Sequence, residues 1–454
     1  MSDLLSLLSL GSAGMAAQNT GVSVATNNVA NANTDGYSRQ RVDLEALRAA
    51  PLIGGVRSGQ PNRLADELLS ARIRTSAGSL GMSKASAAAL NEVEAALSSN
   101  GPTIHEQLGT LFSRLGQVAA SPADPSVREA VVNAARDLVS GINRRAADLD
   151  AQRDDANKRI ADNAAQATEI AAHLAKTNQD VARTNDPVLR DERDRLANQL
   201  SGLVGGAARI DADGQMRFVL DGGAVLVDGG RAAKLTTSPD PTTGNLAVSV
   251  VDGAATRDVT ATLGGGAIGA DLAVRDRTIA TAAKGLDQLA YDIATSMNTA
   301  HRAGAGLDGV TGRDMFVPPA TVAGAAAALA IDPGLDADPT KLATGTAGLG
   351  PGDNGGALGL LALSTSPSAT GGNTLTGAAL GLVSDVANQT ADANASVTRE
   401  GLISDHLSGL RDSLAGVDIQ EELSNLSKFE HASSAMTRFV STIDSLLGNL
   451  IDKL

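Results

Sequence analysis

Apolar and small residues recur at alternating intervals of four and three positions at both ends of the chain. The N-terminal repeat consists of Leu4, Leu8, Gly11, Met15, Gln18, Val22, Ala25 and Val29. The C-terminal repeat consists of Ile419, Glu422, Leu426, Phe429, Ser433, Met436, Val440, Ile443, Leu447, Leu450 and Leu454. Residues with this spacing lie along one stripe of an α-helix, the seam along which two helices wind together. The pattern predicts that residues 1–35 and 415–454 form a paired coiled-coil domain.

The N-terminal segment also carries apolar residues outside its stripe, namely Leu5, Leu7 and Leu10. Pairing of the two ends alone cannot bury all of this surface. Two ordinary amphipathic helices that fold onto the core of their own molecule are the alternative. The surplus predicts contacts with other copies of the chain or with other proteins. We therefore expect both ends to be loosely held in a free subunit.

The region from Ser126 to Thr184 contains no proline and a single glycine, Gly141, and its apolar residues recur near helical spacing. An unbroken helix of this length would measure about 85–90 Å. Ser126 is the predicted N-terminal cap, and Pro187 marks a break before a second helix. We predict a long helical bundle formed by residues 36–204 with 270–303 and 382–414.

Between residues 205 and 269 the pattern changes to short β-type runs separated by Asp-Gly turns. The predicted strands are Met216–Leu220, Ala224–Val227, Leu246–Val251 and Val259–Leu263. Residues 205–269 should form an inserted antiparallel β domain, and residues 304–381 a loop-rich lobe dominated by glycine and alanine. The predicted fold is mainly α: paired terminal coiled-coil helices, a long helical bundle and a small inserted antiparallel β domain.

Composition narrows the classes of function. The chain has 51 acidic and 37 basic residues, a net charge of −14, whereas nucleic acids and anionic lipids attract basic surfaces. Aromatic residues make up 2% of the 454 residues, which largely excludes pockets and interfaces that rely on aromatic anchors. Cysteine is absent, which excludes disulfides and thiolate sites. The first basic residue is Arg39, and no apolar run reaches the roughly 18 residues of a membrane helix. We expect no nucleic-acid partner, no membrane insertion and no cleaved signal peptide.

Gly264, Gly266 and Gly269 match the dinucleotide-binding pattern G-x-G-x-x-G. Such a site also needs a second parallel strand that ends in an acidic residue about 20 positions on. Here Asp287 would lie inside a helix. A glycine-rich domain boundary is the favoured interpretation, and a dinucleotide-binding enzyme that uses Gly264–Gly269 is the alternative from another functional class.

Other patterns give weaker indications of a metal site or of catalytic residues. The five histidines lack the spacing of metal ligands, and the Asp211–Gly222 segment lacks the final glutamate of a calcium loop. The alternating charges from Arg190 to Arg195 are typical of a solvated helix face. We therefore predict no catalytic residue, no cofactor and no metal site.

The segment from Ala25 to Arg41 ends a predicted helix in asparagines and continues as Asn-Thr-Asp-Gly-Tyr-Ser-Arg-Gln. It resembles the N-terminal signature of the bacterial flagellar axial family, which comprises rod, hook and hook-associated proteins. The Ser38-Arg39-Gln40 continuation is similar to the hook-associated members. Further blocks that resemble this family are 185–204, 221–229, 286–312 (with Asn298 and His301), 351–358 and 428–432.

The resemblance implies an extracellular structural subunit of the flagellum that joins hook to filament and assembles through its terminal helices. The implied partners are further copies of the chain, the hook protein, a second hook–filament junction protein, an export chaperone and the type III export apparatus. The alternatives are a hook or distal-rod protein and a cytosolic coiled-coil scaffold. The candidate assembly interface consists of Leu4, Leu8, Met15, Val22, Asn27, Asn28, Asn31, Gly36, Tyr37, Arg39, Leu426, Phe429, Met436, Val440, Ile443, Leu447, Leu450 and Leu454.

Overall fold

The computed structural model describes residues 2–34, 36–47, 55–98 and 101–452. Leu454, the last member of the C-terminal stripe, and Asp35, in the predicted turn after the N-terminal helix, lie outside these residues. The described part of the chain is mainly helical, with short antiparallel strands near its start and in its middle. The predicted fold class is confirmed.

The helices are α1 (Ser2–Ala30), α2 (Glu67–Ser98), α3 (Ile104–Ala120), α4 (Pro125–Thr184), α5 (Pro187–Val204), α6 (Gly266–Ala273), α7 (Ala280–Ala303), α8 (Ala325–Ala328), α9 (Pro333–Ala337), α10 (Gly355–Ala362), α11 (Leu375–Ala415) and α12 (Ile419–Ile451). A π-helical turn, Val274–Ile279, joins α6 to α7, and a 3₁₀ turn, Pro339–Lys341, follows α9. The strands are β1 (Gln40–Arg41), β2 (Leu44–Leu47), β3 (Gly55–Ser58), β4 (Asn62–Arg63), β5 (Ala207–Ile210), β6 (Met216–Val219), β7 (Val225–Asp228), β8 (Arg231–Ala232), β9 (Lys234–Pro239), β10 (Leu246–Asp252) and β11 (Ala255–Asp258).

The long helix predicted from the absence of proline is α4, which runs for 60 residues without a break. Its cap is Asp124 rather than Ser126, because the Asp124 carboxylate accepts a hydrogen bond from the Ser126 N–H (2.8 Å) and Pro125 occupies the first helical position. The helix ends at Thr184 and is capped by Asn185, which adopts a left-handed conformation with φ of 54°. The predicted break is confirmed, since α5 begins at Pro187.

The main hydrophobic core lies among α3, the first half of α4 and α7. The segment 304–381 packs onto these helices and inserts side chains such as Met315, Phe316 and Leu342, which are fully buried. Helix α11 extends the same body along α2. This arrangement forms the helical body of the molecule, from which the terminal helices extend.

The inserted β region contains two antiparallel sheets, with strand orders β5-β6-β7-β8 and β11-β10-β9. Both pack against the second half of α4 around a separate core that includes Leu174, Phe218 and Val248. The predicted strand Val259–Leu263 is wrong: β11 ends at Asp258, and the residues that follow form a turn. Val259 and Leu263 are nevertheless buried, so their apolar character reflects core packing in a turn.

The glycines of the G-x-G-x-x-G pattern lie where the chain returns from the β region to the helices. Gly266 has a φ of 65°, and a Cβ atom added to it would lie 2.5 Å from the backbone nitrogen of Val204. A Cβ atom on Gly205 would lie 2.7 Å from the Cα of Gly265. The glycines are therefore needed for close contact between the outgoing and returning backbone segments. Asp287 lies inside α7, as expected, and accepts hydrogen bonds from the N–H groups of Gly324 and Ala326 at the start of α8.

Candidate functional site: terminal helices and neck

Helices α1 and α12 pack side by side and run antiparallel. Gly11 faces Val440, Gly14 faces Met436 and Gly21 faces Phe429. A Cβ atom at Gly21 would lie 2.6 Å from the Phe429 ring, so the two helices approach as closely as the missing side chains permit. We call this contact the seam.

The buried face of α1 is displaced from the predicted stripe. Its buried residues are Gly11, Gly14, Ala17, Gly21, Val24, Ala25 and Asn28, whereas Met15 and Val22 are half-buried at its side. The displacement arises because α12 supplies the large side chains and α1 supplies the space for them. The predicted stripe includes Gly11 but misses Gly14 and Gly21, which create the rest of this space.

The C-terminal stripe keeps the predicted register along most of α12. Ile443 is buried, and Leu426, Phe429, Met436, Val440 and Leu447 are half-buried along the seam. Leu450 is 40% exposed, as the seam does not reach the last turn. On α1, Leu4 and Leu8 are half-buried.

Apolar side chains remain uncovered at the end of this helix pair farthest from the body. Leu5 is 56% exposed, Leu446 50% and Ile451 63%. Helix α1 carries a single charged residue, Asp3, so little in its composition opposes contact with another apolar surface. No helix among the described residues combines the length and apolar character required to cross a membrane.

The other end of the pair is joined to the body by a hydrogen-bonded region that we call the neck (residues 28–34, 36–40, 63, 191, 194 and 415–422). Asn28 lies at its centre and is fully buried. Its Oδ1 accepts hydrogen bonds from the Tyr37 hydroxyl (2.8 Å) and the Gln40 N–H (2.9 Å). Its Nδ2 donates to the Gln40 carbonyl (2.9 Å) and to Glu422 Oε2 (3.1 Å). One amide thus fastens the chain after α1 to the start of α12.

Arg39 completes the contact with α12. Its Nε donates to Glu422 Oε1 (2.7 Å), its NH2 lies 2.6 Å from Glu421 Oε1, and its backbone N–H donates to the Ala415 carbonyl (2.8 Å). Glu422 is only 3% exposed, so its charge depends on these donors. This explains why an acidic residue occupies a seam position in the predicted C-terminal stripe.

A second group of charges attaches the neck to α2 and α5. Asp191 accepts from the Ser38 N–H (2.9 Å) and from Arg63 (3.0 Å), and Asp194 pairs with Arg63 (2.7 Å) and Arg74 (3.3 Å). The solvated helix face predicted for Arg190 to Arg195 is therefore partly wrong. Asp191 is 8% exposed because the incoming neck covers it, and Arg193 is 3% exposed and donates a hydrogen bond to the Gly214 carbonyl (2.8 Å) in the turn before β6.

Burial alters the protonation of two neck residues. It raises the pKa of Tyr37 to about 12, with the negative charges of Asp191 and Glu422 acting in the same direction. Burial also raises the pKa of Asp191, against the hydrogen bonds from Ser38 and Arg63 that lower it. The neck is therefore a desolvated polar region held together by mutual pairing.

The remaining candidate residues occupy the rim of the neck. Asn31 and Gly36 are half-buried, and Asn27 is exposed. The structure thus brings Asn28, Tyr37 and Arg39 together with α12 and leaves Asn27 facing solvent. Sequence reasoning missed Gln40, Arg63, Asp191 and Glu421, whose partners are distant in the chain. Among the described residues, no group of three or more acidic or histidine side chains is arranged to hold a metal ion.

Comparisons with known proteins find similarity both in the helical body and in the N-terminal helix with the start of the neck. The family model of the flagellar hook-associated protein FlgK helical domain matches residues 90–316, half of the chain, and the flagella basal body rod protein model matches residues 8–37. Flagellar hook-associated protein 1 of Escherichia coli (strain K12) is 24% identical, over 98% of this chain and 99% of that protein. The same-named protein of Bacillus subtilis (strain 168) is 25% identical over 96% of each.

The fold also matches that of a solved protein. The flagellar hook junction protein FlgK from Burkholderia pseudomallei superposes with a TM-score of 0.68 at 17% identity. The match covers 77% of this chain and all of the solved chain.

Proposed function

This chain belongs to the family of the flagellar hook-associated protein FlgK, and from that premise we propose that it is a structural subunit joining the flagellar hook to the filament. The resemblance noted in the signature around Asn28 and Tyr37 is confirmed at the level of the family. The proposed activity is mechanical and needs no bond-making chemistry.

The observation that carries the proposal is the contrast between the two ends of the terminal helix pair. One end is fastened to the body by the neck, and the other exposes Leu5, Leu446, Leu450 and Ile451. Burial of apolar surface contributes about 25 cal/mol per Å², so a few hundred Å² covered by a neighbour would supply several kcal/mol before ordering costs. A subunit of this shape gains stability when similar helices pack around it.

The partners follow from this role. Copies of the chain would pack through α1 and α12, the hook protein would cover one side of the resulting assembly, and a second junction protein would cover the side that leads to the filament. Because such a subunit works in the flagellum outside the cell, we infer passage through the type III export apparatus with an export chaperone and without a cleaved signal peptide. The candidate interface residues named above, Leu454 included, belong to this proposal.

The test is complementation of a strain that lacks the gene. We expect such cells to carry hooks without filaments, and the intact chain to restore filaments. A triple variant, Leu446→Ser with Leu450→Ser and Ile451→Ser, should be exported yet fail to restore them. The matched control, Val310→Ser with Leu349→Ser, removes apolar side chains that are 46% and 62% exposed on the body and should restore filaments fully.

A hook or distal-rod protein is the second candidate, favoured by the rod-protein match over residues 8–37. The same strain separates the two, since loss of a rod or hook subunit would remove the hooks themselves. Normal filaments in the absence of the gene would contradict both proposals.

A further inference from the structure

His301 lies near the end of α7 with its side chain fully buried. Its Nδ1 is 2.8 Å from the Arg313 carbonyl oxygen, and its Nε2 accepts a hydrogen bond from the Ala343 N–H (2.9 Å). The carbonyl can only accept and the amide can only donate. The two bonds together therefore require the neutral ring with its proton on Nδ1.

This ring connects the two ends of residues 304–345, which we call the flap. The flap closes on itself through the Ala305 N–H, which donates to the Gly345 carbonyl (2.7 Å). One turn before His301, Asn298 holds the middle of the flap: its Oδ1 accepts from the Met315 and Phe316 N–H groups, and its Nδ2 donates to the Phe316 carbonyl. The side chains of His301 and Asn298 thus both hold the flap against α7.

A third anchor comes from α4. Arg128 is 1% exposed and donates to the Leu342 carbonyl (2.8 Å), to the Pro122 carbonyl (2.6 Å) and to the Thr344 hydroxyl. A guanidinium group keeps its proton throughout the physiological pH range. Asp287 of α7 and Arg136 and Asn143 of α4 hold other parts of the flap. Among His301, Asn298 and Arg128, the histidine is the one that can titrate near neutral pH.

We propose that His301 is an acid-sensitive clasp that holds the flap on α7 while its ring is neutral and releases it when the ring is protonated. A proton on Nε2 would remove the acceptor of the Ala343 N–H and place two donors against each other. The proposed assembly role uses neither His301 nor the flap, so this inference is independent of it.

Burial sets the direction of the pH dependence. It lowers the pKa of His301, and the charge of Arg313 acts in the same direction, whereas the hydrogen bond to the Arg313 carbonyl and the charges of Asp314 and Asp332 oppose it. Arg128, at the neighbouring carbonyl of Leu342, adds a positive charge on the α4 side. The released flap therefore binds a proton at a higher pH than the docked flap. Docking is complete above the ordinary histidine pKa of 6.5 and weakens as the pH falls below it.

Hydrogen–deuterium exchange of the full chain at pH 7.5, 6.5 and 5.5, corrected for intrinsic exchange rates, tests the clasp. The opening constant of flap amides around Ala343 should rise by up to about tenfold per pH unit below 6.5, while amides in the middle of α4 keep their protection. In His301→Gln the side-chain amide can still donate and accept but cannot titrate, so this rise should disappear. His406→Gln, on the exposed part of α11, should retain it.

Equal pH dependence in the intact chain and in His301→Gln would overturn the proposal, as would an intact chain whose flap protection does not change. If His301→Gln does not fold, ¹⁵N spectra of histidine-labelled chain decide the matter. We expect His301 to be neutral with its proton on Nδ1 at pH 7.5. A ring that is protonated at this pH, or that carries its proton on Nε2, would be incompatible with the clasp.

Discussion

The helical body and the terminal helix pair are both built from long helices, yet they bury apolar side chains to very different depths. In the body, Leu138 and Ile142 of α4 are inaccessible to solvent and lie within a core contributed by many elements. In the terminal pair, the buried apolar side chains among the described residues are Ala17, Val24, Ala25 and Ile443. The core of the body is formed within a single chain, whereas the pair is held by the narrow seam and, on α1, by packing against β3.

The difference indicates how the two regions are stabilised. The body depends on its own hydrophobic core. The terminal pair depends on close contact between glycines and large side chains, on the neck, and in the proposed assembly on neighbouring subunits. Substitutions in the body should therefore act on global stability, and substitutions in the pair should act on local opening and on assembly.

The largest effect is expected in the core of the body. Leu138→Ala should lower the free energy of unfolding by about 2–5 kcal/mol, because it removes a fully buried side chain and leaves a cavity. Urea unfolding followed by circular dichroism measures this change. Leu402→Ala, at a residue that is 67% exposed, is the control and should change stability by no more than about 0.5 kcal/mol. Equal losses would contradict the claim that the stability of the body depends on its buried core.

The next effect is expected at the seam. Gly21→Ala places a methyl group 2.6 Å from the Phe429 ring and should loosen the pair by about 1–3 kcal/mol. Gly14→Ala is the matched control, since its methyl group meets the flexible end of Met436 and helix propensity favours alanine. Amide exchange in α12 reports the opening. Faster exchange in Gly14→Ala than in Gly21→Ala would contradict the proposed seam geometry.

At the neck, Asn28→Ala removes all four side-chain hydrogen bonds of a buried amide. We expect a loss of about 1–3 kcal/mol in local stability, because the Gln40 backbone is left without partners. Exchange of α12 amides should rise while α4 stays protected. Asn27→Ala, one residue earlier and exposed, should leave both unchanged. A uniform loss over the whole chain would show that the neck and the body unfold together.

The smallest effect concerns alkaline pH. Since the folded-state pKa of Tyr37 is raised from 10.0 to about 12, the folded chain keeps a proton that the unfolded chain loses first. The contribution of Tyr37 to stability should be complete below pH 10 and lost as the pH rises toward 12. Tyr37→Phe should abolish this dependence of α12 exchange on pH. Tyr291→Phe is the control for the second tyrosine and should preserve it.

Local patterns predicted much of the helical architecture. The absence of proline from Ser126 to Thr184 predicted α4, and Pro187 marked the start of α5. These features depend on the spacing of residues that are neighbours in the chain, which the sequence displays directly. The β strand predicted for Val259–Leu263 was wrong because a β-type run of residues can also pack on the core from a turn, as Val259 and Leu263 do.

The resemblance pointed to Asn28, Tyr37 and Arg39 in the neck, but it revealed neither their physical role nor their distant partners. Asp191 and Arg63 are separated by 128 positions, and Asn28 and Glu422 by 394. On the sequence, Asp191 belongs to a run of alternating charges and Glu422 to an otherwise largely apolar stripe. The partners of these two carboxylates can be recognised only in the folded chain. Each carboxylate is stable in its buried position because a residue from a distant segment pairs with it.

The sequence by itself determined where the helices run, which face of α12 is apolar, and that both ends carry more apolar surface than a pair can bury. Helical periodicity is a local property and needs no knowledge of the partner. The tertiary structure decided which face of α1 forms the seam, how the neck fixes the terminal pair to the body, and how His301 holds the flap. These depend on long-range contacts, in which a glycine matters for the space it leaves and a charge for the residue that neutralises it.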